Sequence, residues 1–77
     1  MRNISEEFLN AIPEIRWFIV EYFGDRALKE LIRLAQNRQT EKLLDKLEGI
    51  WHELPYREFN RRVNPPGWKT FLSLIKE

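Results

Sequence analysis

The chain has no cysteine, one histidine and only three glycines in 77 residues. Without cysteine it can form no disulfide and offers no thiolate to zinc, which also fits a reducing cytosol. The glycines stand apart at positions 24, 49 and 67, so they form no loop that cradles phosphates. Neither serine lies in a nucleophile motif, and His52 has too few possible partner ligands for a metal site. A bundle of this size also leaves little room for a cleft of roughly several hundred Å3. We therefore expect no catalytic activity, no metal and no cofactor.

Long apolar runs are also missing. The longest, WFIV at residues 17–20, is far shorter than the roughly 20 residues that span a bilayer. The sequence MRNISEEF has two glutamates where the apolar region of a secretory signal would begin. Basic and acidic residues nearly balance, 13 against 12, which predicts no strong overall field toward nucleic acid or anionic lipid. These features predict a cytosolic protein that does not bind membranes.

Helical periodicity is present in four segments of the chain. We expect a single domain over residues 1–77, an all-α compact bundle with short links and helices at about 4–23, 25–37, 40–54 and 65–76. No alternating run of β-branched residues and no Asn-Gly turn competes with this interpretation. Pro13 removes a backbone donor inside the first segment, so that helix should kink or break there. The expected N-caps are Asn3 or Ser5, then Asp25, Thr40 and Asn64.

The apolar residues of each segment fall on one face, which predicts the core. Aromatic residues are 13% of the chain, enough large side chain for a small domain. The inward-facing residues should be Ile4, Phe8, Ile12, Ile15, Ile19, Tyr22 and Phe23; Leu28, Leu31, Ile32 and Ala35; Leu43, Leu44, Leu47, Ile50, Trp51 and Leu54; and Trp68, Phe71, Leu72 and Ile75. If the other helices leave the series Ile12, Ile15, Ile19 and Tyr22 partly uncovered, a homodimer would bury it.

The segment YREFNRRVNPPGWK, residues 56–69, is the first candidate surface. It carries Arg57, Arg61, Arg62 and Lys69 against one acidic residue, Glu58. Asn64 and the two prolines explain its second half as a helix start, whereas the arginines have no such explanation. Arginine beside aromatics binds phosphates and stacks on bases, and it also pairs with acidic protein surfaces. The remaining alternative is that these arginines only form ion pairs within the domain.

The outer side of the first helix is the second candidate surface. Glu7, Glu14 and Glu21 recur there every seven residues, and Trp17 lies among them, away from the predicted core face. Tryptophan beside charged residues is typical of interaction hot spots. Aromatic residues in small domains are nevertheless mostly core, so we expect the fourth helix to cover Trp17.

The resulting functional hypothesis is a small cytosolic protein-interaction module, in which a regulatory, inhibitor or antitoxin-like role would fit. Its partner is an unidentified protein or a second copy of the chain. The alternative is nucleic-acid binding through the basic aromatic segment 56–69. A helix-turn-helix made by the second and third helices is less favoured, because three acids and two bases on the third helix would face the phosphates.

Overall fold

The structure is a computed structural model that describes residues 3–53 and 67–75, apart from the side chains of Trp51 and Trp68. It contains helices α1 (Ile4–Phe23), α2 (Asp25–Gln36), α3 (Thr40–Glu53) and α4 (Trp68–Ile75). The predicted all-α bundle is confirmed. The first two helices have nearly the predicted bounds, whereas residues 54, 65, 66 and 76 of the predicted third and fourth helices lie outside the described part. No described helix is long and apolar enough to cross a membrane.

Helix α1 is the centre of the bundle, because α1 and α3 each contact all the other helices and α1 makes the more extensive contacts. Of the two outcomes predicted at Pro13, the structure excludes the break, since α1 is continuous through this residue. Proline has no N–H, so the carbonyl of Leu9 loses its usual intrahelical partner. Apolar side chains on both sides of Pro13, among them Phe8 and Ile15, are fully buried in the same core. This shared burial opposes the cost of one missing hydrogen bond and keeps the helix intact.

The observed N-caps of α1 and α3 agree only in part with those predicted from the sequence. Asn3 caps α1 as predicted, because its Oδ1 accepts a hydrogen bond from the N–H of Glu6 at 3.1 Å. The other candidate, Ser5, lies inside the helix and is buried, with its hydroxyl 3.3 Å from that of Thr40. Thr40 was expected to cap α3, but it is the first helical residue, and the carbonyl one position earlier accepts the first bond from Leu43.

A single residue, Gly24, connects α1 to α2. It has φ 93 and ψ 162, a conformation that is essentially restricted to glycine, and it serves as the C-cap of one helix and the N-cap of the next. The prediction that Asp25 caps α2 is therefore wrong, since Asp25 is already helical and no side chain caps this helix. The one-residue link leaves no position between the helices for a side-chain cap.

The link from α2 to α3 is a Schellman motif. Asn37 ends α2 as predicted, and Arg38 adopts the left-handed conformation with φ 55. The N–H of Arg38 donates to the carbonyl of Ala35 at 3.0 Å, and the N–H of Gln39 donates to that of Leu34 at 2.9 Å. Glycine usually occupies the position that Arg38 has here, so this turn carries a conformational cost.

Helix α4 begins in very close contact with the backbone of α1. Gly67 has φ 87, and a Cβ atom at this position would lie 2.4 Å from the carbonyl oxygen of Glu14. One turn further on, the ring of Phe71 packs against that of Phe18 with a centroid distance of 5.4 Å. The glycine thus permits the approach that places α4 on the aromatic part of the core.

The predicted core is largely confirmed within the described residues. Leu47 and Phe71 are fully buried and Leu72 is partly buried, whereas the side chain of Trp51 lies outside the description. Ile15 and Ile19 are fully buried inside the single chain, whereas Ile12 and Tyr22 are only partly buried. Less of this series is therefore exposed than the homodimer prediction assumed, and the homodimer itself stays a prediction. The sequence interpretation missed three buried residues at the edges of the predicted faces: Phe18, Leu34 and Leu74.

Candidate interaction surface

Trp17 lies on the surface of the domain, with 50% of its side chain exposed. The expectation that the fourth helix would cover it is wrong. Helix α4 packs over the neighbouring residue, Phe18, which is fully buried against Phe71. Successive helical residues point about 100° apart, so an element that covers Phe18 leaves Trp17 beside it in solvent.

A groove of about 360 Å3 surrounds Trp17, and we call its lining the Trp17 surface: Pro13, Arg16, Trp17, Val20, Glu21 and Asp25. Val20 adds a second large apolar side chain that is 36% exposed. It lies one helical turn after Trp17, and Pro13 lies one turn before it, so these three residues form an apolar stripe along α1. The sequence interpretation missed Val20, although its spacing of three residues from Trp17 was a visible signal.

The Trp17 ring has an aromatic neighbour that links it to the core. Its edge packs on Tyr22 in a T-shaped pair with a centroid distance of 6.4 Å. Tyr22 in turn packs on the buried ring of Phe18 at 5.5 Å. A ring held from one side in this way loses less conformational entropy when a partner covers it than a free side chain would.

Two of the predicted acidic residues have different surroundings. Glu21 lies on the Trp17 surface and has no ion-pair partner among the described residues. Glu14 instead accepts a hydrogen bond from the hydroxyl of Thr70 at 2.5 Å, which ties it to the packing of α4. Asp25, at the edge of the groove, pairs with Lys29 at 3.0 Å on an exposed helical turn.

The basic aromatic segment is described only at its end. Arg57, Arg61 and Arg62 lie outside the described residues. Lys69 is exposed on the first turn of α4. The predicted convergence of these four basic side chains on one surface therefore stays a prediction.

A second, larger groove lies between α2 and α3, with a volume of about 450 Å3. The sequence predicted little room for a cleft of roughly several hundred Å3, whereas this groove has such a volume. Two residues explain the space, because Ala27 on α2 and Gly49 on α3 are small and both line the groove. The sequence interpretation missed it, and these two small residues were the available signal.

Apolar side chains lie at the base of this second groove and charged side chains around it. Phe23, Leu31 and Ile50 supply the apolar part, and the charged residues that line it are Glu30, Asp45, Lys46 and Glu53. Glu30 pairs with Arg33 at 2.6 Å, and this hydrogen bond holds the pKa of the Glu30 carboxyl below its ordinary value. Asp45 and Glu53 have no ion-pair partner within residues 3–53 and 67–75, which leaves the groove with negative charge.

Neither groove is lined by a group of described residues that could hold a metal ion. Over the described residues, no three His, Asp or Glu side chains are grouped closely enough to hold a metal ion. His52 and Glu48, the one pair with a suitable helical spacing, are both exposed. Comparison of the chain with protein-family models, curated proteins and solved structures finds no match, so the arrangement of the residues is the basis for any functional conclusion.

Proposed function

We propose that this chain is a cytosolic protein-interaction module without catalytic activity, and that it binds its partner through the Trp17 surface. One observation carries the proposal: half of the largest side chain on α1 stays in water although the domain has a well-filled core. Full burial of a large apolar side chain is worth about 1.5–3 kcal/mol, and a half-exposed tryptophan forgoes part of this, so its exposure favours a role in contact with another molecule.

The surroundings of Trp17 suit a protein partner of a definite kind. Pro13 and Val20 extend the apolar stripe along the helix, which fits the apolar face of a helix or an extended segment. The carboxylate of Glu21, which has no ion-pair partner among residues 3–53 and 67–75, favours a partner with a lysine or arginine next to its apolar side chain. Such a cation would also be attracted to the face of the Trp17 ring.

The experiment compares Trp17→Ala with a matched control, Lys42→Ala, which removes an exposed side chain from α3. Partners captured from the native host by the wild-type chain are identified by mass spectrometry, and the purified candidate is titrated by calorimetry. We expect Lys42→Ala to bind like the wild type and Trp17→Ala to lose about 2 kcal/mol or more of binding free energy. Binding that is unchanged in Trp17→Ala, in a variant that melts like the wild type, would refute the proposal.

The nucleic-acid alternative predicts a different result. Phosphate contacts release counterions, so binding to mixed RNA and DNA would fall steeply with salt and would be lost in Arg61→Glu with Arg62→Glu. It would not depend on Trp17. An unlabelled protein titrated into labelled oligonucleotides at low salt tests this directly, and the absence of binding at micromolar protein excludes it.

A further inference from the structure

The groove between α2 and α3 contains a glycine, Gly49, that the described part of the fold does not require. Gly24 and Gly67 both have positive φ, which explains glycine at these two positions. Gly49 has an ordinary helical conformation inside α3, and a Cβ atom placed on it would meet no atom within 4 Å. Glycine inside a helix costs about 0.5–1 kcal/mol relative to alanine. The chain therefore carries a cost at Gly49, and no close contact within residues 3–53 and 67–75 needs the glycine.

We propose that the α2–α3 groove is a second binding site, independent of the Trp17 surface, and that it receives a basic segment of another protein. An apolar side chain of that segment would lie on Phe23, Leu31 and Ile50, and the missing side chain at Gly49 lets its backbone approach α3. This is the use of a glycine that a close backbone approach requires.

The charge around the groove selects the chemistry of the segment. Asp45 lies four residues before Gly49 on α3, and Glu53 lies four residues after it. Neither carboxylate has an ion-pair partner in the described part of the chain. Glu30 is already paired with Arg33, and Lys46 is the one basic residue among the described residues of the lining. A segment with lysine or arginine on both sides of a central apolar side chain matches these two carboxylates, whereas an acidic segment would be repelled.

The volume is compatible with such a ligand. About 450 Å3 is within the range of roughly 300–1,000 Å3 that binding clefts show, and it holds one large side chain with part of its flanking backbone. The groove lies between two helices, which suits an extended polypeptide segment.

The test uses two fluorescent synthetic peptides that share one central leucine-phenylalanine pair, flanked by lysines in one and by glutamates in the other. Fluorescence anisotropy with the full chain at low salt should give binding of the lysine peptide at least tenfold tighter than that of the glutamate peptide. Equal binding of the two peptides, or no binding of the lysine peptide, overturns the proposal.

Variants of the chain locate the site. Gly49→Leu fills the groove and should weaken binding of the lysine peptide at least tenfold, and Asp45→Lys should weaken it by charge alone. Trp17→Ala should bind the peptide like the wild type, which separates this proposal from that for the Trp17 surface. Thermal melts by circular dichroism establish that each variant is folded. Unchanged binding in folded Gly49→Leu, or loss of binding in Trp17→Ala, would overturn the proposal.

Discussion

Substitution of the three glycines by alanine gives a direct test of how α4 packs on α1. The structural constraint on the residue differs among the three positions. Gly67 combines positive φ with a close backbone contact, Gly24 has positive φ with open space around it, and Gly49 has neither. The same chemical change, the addition of one methyl group, therefore measures conformational strain and steric contact separately.

The magnitudes follow from the geometry. A residue other than glycine held in a sparsely populated region of φ and ψ costs about 1–3 kcal/mol, so Gly24→Ala should lower the free energy of unfolding by about this amount. Gly67→Ala adds a Cβ atom 2.4 Å from the carbonyl oxygen of Glu14, about 1 Å closer than ordinary van der Waals contact allows. Helix α4 must then move away, which loosens the packing of Phe71 on Phe18, and we expect a loss of about 3–5 kcal/mol. Gly49→Ala should stabilise the chain by about 0.5–1 kcal/mol.

Urea unfolding followed by circular dichroism measures all three values. A domain of this size has a free energy of unfolding of roughly 4–12 kcal/mol, so the Gly67→Ala variant should be marginal or unfolded while Gly24→Ala remains folded. The order of the three variants matters more than any single value. If Gly67→Ala cost no more than Gly24→Ala, the close approach of α4 to the backbone of α1 would be wrong.

Three further predictions concern the turn, the core and the state of association. Arg38→Gly should raise the free energy of unfolding by about 1 kcal/mol, because it relieves the left-handed residue of the Schellman motif, and a thermal melt that shows no rise would contradict this. In denaturant melts, Phe18→Ala should lower the free energy of unfolding by about 3–5 kcal/mol and Leu47→Ala by about 2–5 kcal/mol. Substitution of Trp17, the neighbour of Phe18, by alanine should lower it by less than about 1 kcal/mol. Similar losses for the Phe18 and Trp17 variants would mean that the assigned faces of α1 are wrong. Light scattering should give the mass of a monomer, since Ile15 and Ile19 are buried within one chain. If the wild type instead had the mass of a dimer and Trp17→Ala had that of a monomer, a second copy of the chain would be the partner of the Trp17 surface.

The sequence alone determined the elements of this fold, because the signals for them are local. Apolar spacing of three and four residues marks each helix, Asn3 marks the start of α1, and Gly24 and Asn37 mark where helices end. Each signal acts over a few neighbouring residues and does not depend on what packs on the helix. The local cost of Pro13 follows from the sequence as well, but the sequence left open whether the helix breaks there. The burial on both sides of Pro13, which keeps the helix continuous, is a property of the whole core.

Only the tertiary structure decided which faces of the helices are covered. Phe18 and Trp17 are adjacent aromatic residues, and periodicity placed neither of them on the predicted core face of α1. Helix α4 covers Phe18 because Gly67 lets its first turn lie against the backbone of α1, and this leaves Trp17 in solvent. The groove beside Gly49 likewise depends on how α2 and α3 are spaced. Such contacts join residues far apart in the chain, and their geometry follows from the packing of whole helices rather than from any short pattern.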